Sequence, residues 1–186
     1  VTGSDLMVVP MPMNSLTGGR MIKSVAIIGK GPSVLKSTRE FVDSFDGVAI
    51  CNFPPIDGYE QYWGERATHH FTNAHDPNPY NRKRLNSLGL KYIFNTHYSR
   101  HPGRKDTFPE HNVLYSSDYG ELRIPEFKKE FGFDPSCGII AFDFFVRKEE
   151  IETIGLIGFD FFKVGERGYY SVSYTHLRAH ETVLDL

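Results

Sequence analysis

The sequence predicts an α/β domain built on a mainly parallel sheet with helices on both faces, and three observations carry that expectation. Short apolar runs at 24–28, 47–51 and 152–157 are continuous rather than alternating, as strands buried on both faces require. Stretches between the runs repeat their apolar residues at helical spacing, so strand and helix alternate along the chain. Each run ends on a turn residue (Gly29, Asn52 or Gly158), which places loops at one edge of such a sheet, where ligands bind.

Taken in order, 24–28 is the first strand and closes on Gly29. Ser33 then stands where it would cap a helix running to Phe45, with Val34, Leu35, Phe41, Val42 and Phe45 on one face. The second strand, 47–51, delivers Asn52 into the rigid loop Phe53-Pro54-Pro55. Further strands are expected at 68–72 and 92–95 with a short helix over 81–88 between them, and 99–109, rich in Arg, Lys, Pro and His, reads as a loop. Ser136 is placed to cap a helix through Val146, and the strand 152–157 follows, closed by Gly158.

Composition bounds what this fold does. The 186 residues carry 21 Lys+Arg against 23 Asp+Glu, a net charge of −2, and suit one domain with one site. A nucleic-acid partner is not expected, since duplex binding needs a basic face that neutralises several phosphates. Cys51 and Cys137 show neither metal-type nor disulfide-framework spacing, and neither a membrane-length apolar run nor a signal-peptide pattern is present, so a reducing, cytoplasmic location is expected. Residues 1–20 lack periodicity and read as a disordered tail or an untranslated leader before Met21. Residues 171–186, with Val172–Thr182 as the diagnostic stretch, read as translation through a sequencing adapter, which leaves 21–170 as the folded domain.

Several segments are candidates for chemistry, each with a plain structural alternative. Gly29-Lys30-Gly31-Pro32-Ser33 joins a strand to a helix, where free N–H groups suit a phosphate or carboxylate. It lacks the third glycine of a dinucleotide fingerprint and the Gly-Lys-Ser/Thr ending of a P-loop, and a structural turn explains it equally. Asn52 offers a donor and an acceptor on the ligand edge, or serves as a turn residue. Asn73, in Asn73-Ala74-His75-Asp76, lies past a strand as a ligand or an Asx turn. Ser136, Cys137 and Gly138 open a helix whose N–H groups suit an anion, although an ordinary capped helix accounts for them, and Cys137 has no visible base that would make it a nucleophile. His69 and His70 are adjacent on a strand, point to opposite faces and do not suit one metal ion. Arg82, Lys83, Arg84, Arg100, His101, Arg104 and Lys105 form either a basic rim for an anionic sugar or a solvated surface.

In this order the segments resemble sialyltransferases. Residues 24–76, through Ile28-Gly29-Lys30-Gly31, Cys51-Asn52-Phe53-Pro54-Pro55 and Trp63–Phe71, look like the large sialylmotif of the animal-type family. Pro135–Ile140 through Ile154–Asp160 looks like the small sialylmotif, and Gly29–Ser33 with Gly158–Phe162 is similar to the bacterial enzymes. The stretch 77–134 matches neither motif and in this family tends to meet the acceptor. The resemblance implies a Rossmann-like fold, the sialyltransferase variant of the nucleotide-sugar glycosyltransferase fold, left incomplete at its C-terminal end. It implies a CMP-sialic acid donor, a glycan or lipooligosaccharide acceptor through which the protein would meet a membrane peripherally, and no cofactor or metal. Gly29, Lys30, Gly31, Pro32, Ser33 and Asn52 would bind the nucleotide phosphate and ribose, and Asn73 would lie near the donor sugar. Ser136, Cys137 and Gly138 would hold the donor carboxylate and CMP, while Gly158, Asp160, Phe161 and Phe162 would line the cytidine pocket and Tyr169 or Tyr170 would approach the departing phosphate.

Two departures qualify the resemblance. The cysteines do not occupy the positions of the animal family's disulfide, and Phe162 stands where bacterial relatives carry a tyrosine. The family's general base is a histidine in a later motif, suited by a pKa near the working pH. His176 and Glu181 reproduce its spacing but fall in the adapter-like stretch, so the base is expected beyond Tyr170. Two other readings stay open. One is a nucleotide- or pterin-linked pyrophosphate-transfer enzyme with a similar Gly-x-Gly-Pro-Ser turn, for which Asp160 would be the metal ligand. The other is a non-catalytic nucleotide-sugar-binding module.

Overall fold

The computed structural model describes residues 22–52, 54, 56–73, 84, 87–96, 112–115 and 122–160. The elements run β1 (Ser24–Ile28), a 3-10 helix (Pro32–Lys36), α1 (Arg39–Asp43), β2 (Gly47–Cys51), α2 (Glu60–Trp63), β3 (His69–Thr72) and β4 (Tyr92–Asn95). They continue with β5 (Asn112–Tyr115), α3 (Ile124–Phe131), α4 (Cys137–Val146) and β6 (Thr153–Ile157). The strands form one sheet in the order β5-β4-β3-β2-β1-β6, and every neighbouring pair is parallel. The chain steps outward from β1 to β5, then crosses back to lay β6 on the other side of β1. The junction of β1 with β6 is therefore the point where the winding reverses, and in open parallel sheets a ligand crevice lies outside the strand ends there. Among the described residues no helix is long and apolar enough to cross a membrane.

Alternation along each strand divides the core in two. Ala26, Ile28, Val48, Ile50 and Ile93 face one layer with Val34, Val42, Phe45, Ile56 and Trp63. Val25, Ile27, Ala49, Cys51, Phe71 and Phe94 face the other with Ile140, Ala141, Phe144 and Phe145 of α4. Phe71 and Phe94 stack at 4.3 Å between ring centroids, and Phe144 lies 4.9 Å from Phe94. Gly155 is the one gap in β6, and the Phe45 ring fills it: a Cβ at 155 would lie 2.6 Å from that ring.

The segment after β1 departs from the sequence expectation. In place of one helix capped by Ser33 there are two short ones, because Ser37 is extended (φ −89°, ψ 170°) and breaks the run. Thr38, not Ser33, is the side-chain cap; its Oγ1 accepts from the Phe41 N–H at 3.2 Å. Val34, Val42 and Phe45 are buried, but the break turns Leu35 and Phe41 to the surface. Ser136 does cap α4, with Oγ accepting from the Ile139 N–H. β5 and α3 are elements that periodicity alone did not expose. Of the expected helix over 81–88, only Arg84, Ser87 and Leu88 are described.

His69 and His70 lie on opposite faces of β3, as expected. His69 is fully buried between Tyr92 and Phe94, with the Phe145 ring edge-on at 5.1 Å. Its Nδ1 shares a 2.8 Å hydrogen bond with the Thr68 hydroxyl, while Nε2 has no partner among the described residues. Burial among rings penalises the imidazolium and lowers the His69 pKa from 6.5 to about 3. The unfolded chain therefore takes up a proton at His69 as pH falls below about 6.5, whereas the folded chain does not until about pH 3. Stability is lost across that window at up to about 1.4 kcal/mol per pH unit. Denaturant titrations from pH 8 to 4 are expected to show this slope in the wild-type chain and its loss in His69→Phe, with the two curves parallel above pH 7. Equal slopes in both proteins would place the acid sensitivity elsewhere.

Candidate functional site

Two turns meet over the junction of β1 and β6. The Gly29 N–H donates to Ile157 O (2.7 Å) and the Gly31 N–H to Gly158 O (2.8 Å). The Ser33 N–H donates to Asp160 Oδ2 (3.0 Å), so a carboxylate of this chain sits at the start of the 3-10 helix. The Val34 N–H turns back to Gly31 O. Free N–H groups facing an anion were the expectation for Gly29–Ser33; here those of Gly31 and Ser33 are spent on the opposite turn, that of Gly29 on Ile157 at the end of β6, and Pro32 has none. The glycines answer a packing need. A Cβ on Gly29 would collide with the Gly158 carbonyl, and one on Gly31 with the Asp160 carboxylate and, at 2.7 Å, with the same carbonyl. Gly158 itself has φ +74°, a conformation that favours glycine.

The second turn also reaches α4. Phe159 lies over Gly138, where a Cβ would approach its ring at 2.5 Å. The two segments singled out near the end of the sequence, Ser136-Cys137-Gly138 and Gly158–Asp160, are thus brought into contact. Phe161, Phe162 and Tyr169 lie outside the described residues, as do residues 1–20, 171–186 and most of the basic stretch. Arg84, its described member, bridges Asp57, Glu60 and Glu65 as a surface ion cluster.

At the carboxyl ends of β2, β3 and β4 the structure assembles a polar cluster from four separate elements. Asn52 adopts a left-handed conformation (φ 54°), which asparagine tolerates. Its N–H donates to Phe71 O (2.6 Å) and its carbonyl lies 2.5 Å from His70 Nε2, so the backbone is held on both sides. Its side-chain Oδ1 accepts from the Asn73 N–H (3.1 Å) and from the Cys137 thiol (3.2 Å). Thr96 completes the cluster, donating to Thr72 O at 3.1 Å and lying 3.4 Å from the Cys137 sulfur.

Electrostatically the cluster is neutral. Burial pushes the Cys137 thiol up to about 11, against smaller opposing effects from Thr96, the Asn73 backbone and the charge of Lys30. Burial likewise pushes Cys51 well above its ordinary value, and both cysteines are free thiols. Cys137 is therefore a hydrogen-bond donor and not a nucleophile. Thr96 is the member that sequence reading missed. The available signal was its place directly after an apolar strand, the same position that singled out Asn52 and Asn73.

Substitution of the glycines separates the two approaches. Gly29→Ala meets backbone and is expected to cost about 3 kcal/mol, whereas Gly138→Ala meets a ring that can swing and is expected to cost about 1 kcal/mol. Urea unfolding of both variants measures this, and equal costs would show that the two turns are free to separate.

No protein-family model and no curated protein matches the sequence. Solved structures do. A mammalian sialyltransferase in complex with Gal-beta-1-3GalNAc-ortho-nitrophenol superposes with a TM-score of 0.56 at 16% identity, covering 91% of this chain and 71% of that one. The sialyltransferase CstII from Campylobacter jejuni, in complex with a substrate analogue, cytidine-5'-monophosphate, gives 0.55 at 16% identity over 90% of this chain and 77% of that one. At such identity the likeness is one of architecture. The fold of this chain is the α/β fold seen in animal and bacterial sialyltransferases.

Proposed function

We propose that this chain binds the donor in a glycosyltransferase that moves sialic acid, or a related nonulosonic acid, from a CMP-sugar to a glycan hydroxyl, with inversion and without a metal. The observation that supports this reading best is the convergence of Asn52, Asn73 and Cys137 at the start of α4. All three were singled out separately in the sequence. They meet beside the crevice of a fold shared with sialyltransferases, one of them crystallised with cytidine-5'-monophosphate.

In this reading the acceptor oxygen attacks the anomeric carbon of the donor as the bond to the phosphate oxygen breaks, and CMP departs as a monophosphate. The Asn52 amide and the N–H groups opening α4 face the charge that develops on that oxygen. The Ser136 hydroxyl, whose oxygen already accepts from Ile139, retains its proton for the donor carboxylate. The Gly29–Ser33 turn, its N–H groups engaged, serves as the frame that holds Gly158–Asp160 against the nucleotide. Asp160, on which a metal-dependent pyrophosphate transfer would rest, instead accepts from the Ser33 N–H. None of the described residues is assigned the role of general base.

Calorimetric titration with CMP, with CMP-sialic acid and with ATP, each with and without Mg²⁺, tests the proposal. CMP binding that is indifferent to Mg²⁺ and weakened at least about tenfold by Asn52→Ala is the expected result, a loss typical of one hydrogen bond to a charged group. Preferential binding of ATP with Mg²⁺ would overturn it.

A further inference from the structure

We infer that Cys137 is a positioning residue for Asn52: its thiol holds the Asn52 carboxamide in one orientation, so that the amide meets a ligand only as a hydrogen-bond donor. The inference rests on the reading of Asn52 as a donor-binding residue, and it adds how that residue is aimed and which ligand atom it takes.

The orientation follows from the partners. A backbone N–H faces an oxygen and not an NH₂ group, so the Asn73 N–H at 3.1 Å identifies which end of the amide points inward. The Cys137 thiol occupies the second lone pair of the same oxygen at 3.2 Å. With Oδ1 saturated, Nδ2 is directed away from the cluster with both of its hydrogens. No described residue accepts from it, and Asn52 is partly exposed. The backbone of Asn52 is equally constrained by Phe71 and His70, which leaves rotation of the side chain as its main freedom, and Cys137 restricts that rotation.

The thiol is itself fixed. Cys137 is buried at the first position of α4, and its sulfur lies 3.4 Å from the Thr96 hydroxyl, whose proton goes to Thr72 O. The neutral S–H donor therefore persists across the working pH range. The group that Asn52 takes is accordingly an acceptor, an anionic or carbonyl oxygen, and not the hydrogen of a sugar hydroxyl. A phosphoryl oxygen of a nucleoside monophosphate fits.

Three variants of the full chain, Cys137→Ala, Cys137→Ser and Asn52→Ala, test this by two readouts. In ¹⁵N-correlated spectra without ligand, the Asn52 side-chain amide, identified by its disappearance in Asn52→Ala, is expected as one sharp pair in the wild-type chain and in Cys137→Ser. In Cys137→Ala it is expected to broaden or split. With CMP as probe, Cys137→Ala is expected to weaken binding about tenfold, Cys137→Ser to recover to within about threefold, and Cys137→Ala to have no further effect on top of Asn52→Ala. An unaltered amide pair in Cys137→Ala, or equal losses in the Ala and Ser variants, would overturn the positioning role. CMP binding that ignores Asn52→Ala would instead overturn the proposed function, and the ligand-free spectra would still decide the inference. Should Cys137→Ala fail to fold, the Ser variant keeps the inference exposed: an amide pair in Cys137→Ser that differs from wild type would overturn it.

Discussion

The approach of two backbone turns, Gly29–Ser33 and Gly158–Asp160, is the constraint on which the remainder of the site depends. Two N–H groups of the first turn are committed to the second and a third to Ile157 at the end of β6, and the second turn leaves no room for a Cβ on Gly29 or Gly31. That contact carries Phe159 onto Gly138, which sets the start of α4 against the sheet. Cys137 then falls within reach of Asn52 and Thr96. The polar cluster is thus placed by apolar and backbone packing several residues away, and not by its own hydrogen bonds alone. This is how rigid supporting contacts give a site its precision.

The chemistry of the cluster is that of neutral groups. Carboxamide, hydroxyl, thiol and backbone N–H groups are less costly to bury than ions, and their hydrogen bonds to one another meet that cost. They also suit a ligand that arrives already charged. A phosphate that leaves without full protonation needs donors that do not move during the reaction, and fixed dipoles supply that without the reorganisation water would require. The pairing of Asp160 with the Ser33 N–H is consistent with this, since an unpaired carboxylate beside the cluster would repel an anionic ligand.

Much of the fold was legible in the sequence because a strand buried on both faces has to be apolar throughout. β1, β2 and β4 announced themselves that way; β6 carried a similar apolar run, yet as an edge strand it leaves Thr153 and Leu156 exposed, and Ser136 marked the start of α4 through its capping chemistry. β5, at the sheet edge, is no shorter than β4, but its run opens on Asn112 and follows a stretch rich in Arg, Lys, Pro and His that reads as loop. The start of α3 lies beside Pro125 and its end at Gly132 with φ +80°, local signals that the charged residues between them obscured. The break at Ser37 has no signature in apolar spacing, since Leu35 and Phe41 fit a helical face but are left exposed. At the site, Asn52, Asn73 and Cys137 were visible one by one as residues at strand ends or a helix start. Their mutual hydrogen bonds were not, because contacts between residues far apart in the chain follow from topology. The turn Gly29–Ser33 was visible too, but not the close approach of Gly158–Asp160 that engages its N–H groups.

The strand order has a bearing on how the molecule reaches its finished form. β6 pairs with β1 across a wide sequence interval, and Lys23 and Glu152, joined at 2.6 Å, stand 129 residues apart. Contacts so distant carry the largest loop-closure cost and tend to form late. The two packed turns come one from each side of that junction, so the site they support is not formed until the late contact is made. A ligand that binds there recognises only chains that have completed the sheet, and its binding energy is added to the docking of β6. Occupancy of the site and completion of the fold are, in that sense, linked equilibria.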